Sequence, residues 1–128
     1  MMSKRILVAD DEQGFRDLFT FILAPMGFEV TCVKNGEDAV KKIEEKEYDV
    51  TLMDVHMPIL TGPEALKKIL IIRPAQKVII LSSGSDAGRI LETEAGRQGT
   101  VACLYKPVES EDLRRALEKA LGPLPQQF

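Results

Sequence analysis

Short apolar runs alternate along the chain with longer amphipathic stretches. Ile6-Leu7-Val8-Ala9 shows no polar alternation, the pattern of a strand covered on both faces. Asp11-Glu12-Gln13 then opens a helix. Phe15, Leu18, Phe19, Ile22 and Leu23 recur at helical spacing, and Pro25 with Gly27 ends it. Glu29–Val33 reads as a second strand and Asn35-Gly36 as a turn. Ala39, Val40 and Ile43 mark a second helix running to about Lys46. Asp49–Met53 is a third strand, followed by a loop from Met57 to Gly62. A third helix starts near Pro63, with Ala65, Leu66, Ile69 and Leu70 inside and Arg73-Pro74 as its stop. Lys77–Leu81 is a fourth buried strand, and Thr100–Tyr105 a fifth. The last helix follows Pro107 and buries Leu113, Ala116, Leu117, Ala120 and Leu121, with Gly122-Pro123 closing it.

The least regular stretch is Ser83–Gln98, where Gly84, Gly88 and Gly96 dilute any helix. Each costs about 0.8–1 kcal/mol of helix stability relative to alanine. A short or irregular helix is expected near Ala87–Ala95. The pattern is five βα units. It predicts an α/β fold with an open, doubly wound, five-stranded parallel sheet carrying helices on both faces. Pattern alone leaves the strand order open. The 128 residues suit one domain, expected over residues 1–122, with a frayed tail at 123–128.

Composition narrows the function. A formal charge of −3 and no basic stripe argue against direct nucleic-acid binding. No apolar run approaches membrane-spanning length, and the N-terminal stretch lacks the features of a signal peptide. Cys32 and Cys103 lie in strand-like segments without metal-ligand spacing, so free thiols in a reducing, cytoplasmic setting are expected.

Ligands of such sheets bind beyond the carboxyl ends of the strands. There the chain carries Asp10 and Asp11 after the first strand, Asp54 after the third, Ser82 and Ser83 after the fourth, and Lys106 after the fifth. Taken singly, strand-end Asp and Ser often cap helices or make turns. Together they form a chemical set. Three clustered carboxylates repel one another unless a hard divalent cation intervenes, and Mg²⁺ favours oxygen ligands. Lys106 adds positive charge, and Ser82 can donate to a phosphoryl oxygen. These are the parts of phosphoryl transfer, in which positioning and charge neutralisation dominate, with a carboxylate as a competent nucleophile.

In this arrangement the chain resembles receiver domains of two-component response regulators, over about residues 4–121. Val8-Ala9-Asp10-Asp11-Glu12 is similar to their acidic opening, and Asp54-Val55-His56-Met57-Pro58 with Gly62 to their phosphoacceptor segment. Val78-Ile79-Ile80-Leu81-Ser82 and Lys106-Pro107 complete the set in the family's order. The resemblance implies strand order 2-1-3-4-5, which sets the two cysteines on opposite edges. It implies Asp54 as phosphoacceptor, with Mg²⁺ (or Mn²⁺) held by Asp10, Asp11, Asp54 and the backbone carbonyl of His56. Ser82 and Lys106 would engage the phosphoryl group, and the Lys106-Pro107 bond would be cis. The implied donor is a phosphohistidine on a sensor kinase or phosphotransfer protein. The domain would catalyse its own transfer and slow dephosphorylation, rather than act as an enzyme on other substrates. Output would pass to a partner protein through the surface of the fourth helix, fifth strand and fifth helix.

The family often has an aromatic three residues before the lysine; here Cys103 stands there, and Tyr105 is not expected to replace it. Ser83 stands where alanine is common. The alternative implied by Cys103 is a receiver that binds partners without phosphorylation. A dehalogenase-like phosphatase would need a second acid where His56 stands. A flavodoxin-like cofactor site would place phosphate against Asp10 and Asp11. His56 itself reads mainly as a solvated loop residue near the site entrance. With no helix-turn-helix in the sequence, the chain is expected to be a stand-alone regulator or a receiver cut from a longer protein.

Overall fold

A computed structural model describes residues 3–84 and 94–124. The elements run β1 (Arg5–Ala9), α1 (Gln13–Leu23), β2 (Glu29–Val33), α2 (Gly36–Glu45), β3 (Val50–Asp54), α3 (Gly62–Ile72), β4 (Val78–Ser82), α4 (Glu94–Gly99), β5 (Thr100–Tyr105) and α5 (Ser110–Leu121). All strand pairings are parallel, in the order β2-β1-β3-β4-β5. The doubly wound sheet implied by the sequence is therefore the observed one, and the free cysteines Cys32 and Cys103 lie on opposite edge strands.

Strand alternation divides the core into two layers. Leu7 and Ala9 of β1, Met53 of β3 and Val78 and Ile80 of β4 face Ala39 and Ile43 of α2 and Ala65, Leu66 and Ile69 of α3. Ile6 and Val8, Leu52, Ile79 and Leu81 face Phe19 and Leu23 of α1 and Leu113, Ala116 and Leu117 of α5. The central strands β3 and β4 are buried at every position, which is why their sequences show no polar alternation.

β1 starts one residue earlier than expected, at Arg5, and β3 and β4 each lie one residue further along the chain. β3 begins at Val50 because Asp49 is exposed and accepts the Arg5 backbone N–H at 2.7 Å; it ends on Asp54, which pairs in register with Leu81. β4 likewise ends on Ser82. Pro25 converts the end of α1 into a 3-10 turn over Ala24–Met26, closed by Gly27 at φ 94°. Most of the helix expected near Ala87–Ala95 lies outside the described residues, as do residues 125–128; α4 continues past Ala95 to Gly99. Among the described residues no helix is long and apolar enough to cross a membrane.

Candidate functional site

The carboxyl ends of β1, β3, β4 and β5 bring Asp10, Asp54, Ser82 and Lys106 to one edge of the sheet. Backbone bonds continue past the strand ends and fix their relative heights. Asp10 N–H donates to Val33 O at 3.1 Å, Val55 N–H to Leu81 O at 3.0 Å, and Lys106 N–H to Ser82 O at 2.8 Å. Arg16 of α1 donates to the Asp10 carbonyl at 2.7 Å and holds the start of the β1–α1 loop. The Lys106-Pro107 peptide is cis, as the family resemblance implies.

The Lys106 ammonium is the centre of the cluster. Its Nζ lies 2.8 Å from Asp10 Oδ2, 3.1 Å from Asp54 Oδ2 and 3.4 Å from Glu12 Oε1, with its side chain only 5% exposed. The Phe15 ring covers it, 4.2 Å from Nζ to the ring centroid. Burial alone would lower the lysine's pKa, but contacts with Asp10 and Asp54 outweigh it and the net shift is upward. Asp54 moves upward too, from 3.8 to about 6. Burial is the main cause and the Asp10 charge the next; Lys106 and the His56 backbone N–H oppose them. One ammonium is not enough for the acids around it.

The residues present fit a divalent cation. Asp10, Asp11, Glu12 and Asp54 each place one carboxylate oxygen within 4.8 Å of the others. Asp10 Oδ2 is buried and, although close to Lys106, takes part in no well-directed hydrogen bond. Such an oxygen has lone pairs to give to a metal. Asp11 is exposed and does not cap α1: the N-cap is Glu12, without a side-chain cap bond. Its carboxylate is therefore not committed to the local role that competes with metal binding. Asp10 does serve locally as well, its Oδ1 accepting Glu12 N–H at 3.0 Å.

The β3–α3 loop is held from both sides. His56 N–H donates to Asp54 Oδ1 at 3.2 Å, and Gly62 N–H returns to Val55 O at 3.0 Å. Thr61 and Glu64 form a reciprocal capping box at the start of α3, with Pro63 in the first turn. Any side chain at Gly36 would overlap the Leu60 carbonyl, and one at Gly62 would meet Asp54 O and Val55 Cα. Ile59 sits at φ 71° and is 72% exposed, an uncommon conformation for a β-branched residue. The His56 side chain is exposed, consistent with its expected loop position.

Ser82 is fully buried, but its hydroxyl turns to its own chain. It donates to Gly84 O at 2.9 Å and accepts Gly84 N–H at 3.2 Å. Cys103 is half-buried against the α2–α3 layer; Tyr105, two residues on and hence on the same strand face, is 61% exposed at the strand end. Glu12 and Phe15 also border the site, although the strand-end pattern marks neither of them. Glu12 adjoins the acidic pair, and Phe15 stands four residues after Asp11 on the helix that follows it, which is the signal that could have marked both.

A response regulator receiver domain model matches residues 6–118. The chain is 33% identical over 117 residues to the chemotaxis protein CheY of Listeria monocytogenes, covering 91% of this chain and 97% of that protein. Against CheY of Thermotoga maritima it is 33% identical over 119 residues, covering 92% and 98%. Among solved structures, a receiver domain from a Pseudomonas aeruginosa sensor histidine kinase, with a magnesium ion coordinated in its active site cleft, superposes with a TM-score of 0.84. That pair is 27% identical, over 95% of this chain and 100% of the other. The response regulator TrrA of Thermotoga maritima, in complex with Mg²⁺–BeF, gives 0.80 at 30% identity, over 92% and 99%.

Proposed function

The chain belongs to the response regulator receiver domain family, a family of phosphoacceptor signalling domains, and on that footing we propose that Asp54 is its phosphoacceptor. The donor is a phosphohistidine on a sensor kinase or histidine phosphotransfer protein. In the transfer, an Asp54 carboxylate oxygen forms the new bond to phosphorus as the phosphorus–nitrogen bond breaks, and the imidazole nitrogen keeps the electron pair. Asp10, Asp11, Asp54 and the His56 carbonyl would hold Mg²⁺ or Mn²⁺, which would supply charge neutralisation to the phosphoryl oxygens. Lys106 moves from its carboxylate partners to a phosphoryl oxygen. Ser82 exchanges its bond with Gly84 for another oxygen of that group. The altered surface of α4, β5 and α5 is then read by a partner protein.

The observation that carries this reading is the buried Asp54 at a strand end, flanked by Asp10 and Lys106 with its carboxyl held away from its ordinary ionisation. The same assembly speaks against a phosphorylation-independent module, which has no use for it. The test is intact-mass analysis after incubation with Mg²⁺ and a small acyl phosphate. One phosphoryl group is expected on the wild type and none on Asp54→Ala or in the presence of chelator. A wild type that gains no mass throughout a time course, with a donor shown to be active, overturns the proposal.

A further inference from the structure

Lys106 faces two kinds of partner. Asp10, Asp54 and Glu12 attract it as charges, and all three belong to the group of acids that can gather around a metal ion. The fourth partner, Phe15, is neutral. Its ring lies 4.2 Å from the ammonium and 6.3 Å from the Phe19 ring, which is fully buried in the core beneath α1. The aromatic face carries negative quadrupole density and attracts a cation without carrying net charge.

We infer that Phe15 is a positioning residue for phosphoryl transfer, holding the Lys106 ammonium over the site once a metal has claimed the carboxylates. This rests on Asp54 being the phosphoacceptor. When Asp10 and Asp54 turn their oxygens to a divalent cation, the lysine loses the charge partners that now seat it, and its long side chain regains rotamers. A carboxylate in Phe15's place would keep the lysine but repel the incoming phosphoryl group. An aliphatic residue would repel nothing but give the ammonium no seat. An aromatic face does neither, and α1 fixes it from the core side through Phe19.

Phe15→Leu preserves apolar bulk and removes the π face; Phe15→Tyr and Phe15→Trp preserve the face. The rate of phosphoryl gain from a small acyl phosphate is measured at saturating Mg²⁺. In this reaction the Asp54 O–P bond forms and the acyl oxygen leaves with the electron pair. Phe15→Leu is expected to be slower by about five- to tenfold, between the scales of an exposed and a fully desolvated cation–π contact. Its Mg²⁺ affinity should stay within about twofold, and Tyr or Trp should restore the rate. Proton NMR supplies the second readout: the Lys106 ε-methylene signals, shifted by the ring current, should move to ordinary values in Phe15→Leu and remain shifted in Phe15→Tyr. A Phe15→Leu rate equal to wild type overturns the inference. So does equal slowing in all three variants, which marks packing alone. If the wild type itself gains no phosphoryl group, the phosphoacceptor reading fails and the inference goes with it; a labelled wild type with an unaffected leucine variant fails the inference only.

Discussion

Replacing Asp54 with asparagine should make the metal-free protein more stable at neutral pH. Asp54 is 3% exposed, and its carboxyl pKa rises from 3.8 to about 6 because burial and the Asp10 charge outweigh Lys106 and the His56 N–H. The sign follows from proton linkage. Between those values the folded chain holds a proton on this carboxyl that the unfolded chain has released, so the Asp54 contribution to stability is greatest below 3.8 and falls as pH rises to about 6. A shift of about two units, at about 1.4 kcal/mol each, sets a ceiling near 3 kcal/mol. Asparagine has nearly the same shape and carries no charge, but Lys106 loses one of its anionic partners. A gain of about 1–2 kcal/mol is therefore expected at pH 7.5 in chelator, measured by urea unfolding followed by circular dichroism. It should shrink toward zero at pH 4, where the native carboxyl is already protonated. A loss of stability at pH 7.5, or a gain of equal size at both pH values, would refute the claim that Asp54 is electrostatically strained.

Mg²⁺ at about one hundred times its dissociation constant should stabilise the wild type by about 2.7 kcal/mol against urea, with most of that lost in Asp11→Ala. Lys106→Met, which leaves buried Asp10 and Asp54 without their ammonium, should cost about 3 kcal/mol in chelator and raise the Asp54 pKa further, read by carbon NMR. Because the lysine's own pKa is raised, its contribution persists through neutral pH and is lost only as pH climbs past its ordinary 10.5. Gly36→Ala should cost about 2 kcal/mol or more in urea unfolding, since its methyl would meet the Leu60 backbone carbonyl rather than a movable side chain. Thr61→Ala should cost about 1 kcal/mol by breaking the capping box. It should also let the Glu64 pKa, now lowered by its bonds to Thr61, return toward 4.5.

The strands are legible as short, mostly apolar runs because β3 and β4 are buried on both faces, and flanking turn residues mark them as too short for buried helices. The residues at the strand ends followed from the same pattern, since the turn after each strand is where chemistry collects. Ser82 lies at the end of β4, but its hydroxyl's attachment to Gly84 is not legible in the sequence, because a two-residue hydrogen bond depends on backbone angles rather than spacing. Phe15 was grouped with the core because its spacing matches Phe19 and Ile22; helical periodicity gives a face, and the edge of that face reaches Lys106. The strand order needed the family resemblance, since the alternation of elements is the same for several windings of a parallel sheet.

The Lys106 ammonium stands beside the point where an activated acyl phosphate would be attacked, and an amine there could in principle take the acyl group instead. Only a neutral amine has the electron pair to do so. Surrounded by Asp10, Asp54 and Glu12, this one holds its proton more tightly than an ordinary lysine and is almost closed to solvent. The carboxylates therefore do more than bind: they keep the neighbouring nitrogen chemically silent. An electrophile that enters the metal-free site therefore meets a protonated nitrogen, and acylation of Lys106 is suppressed without any group dedicated to that task.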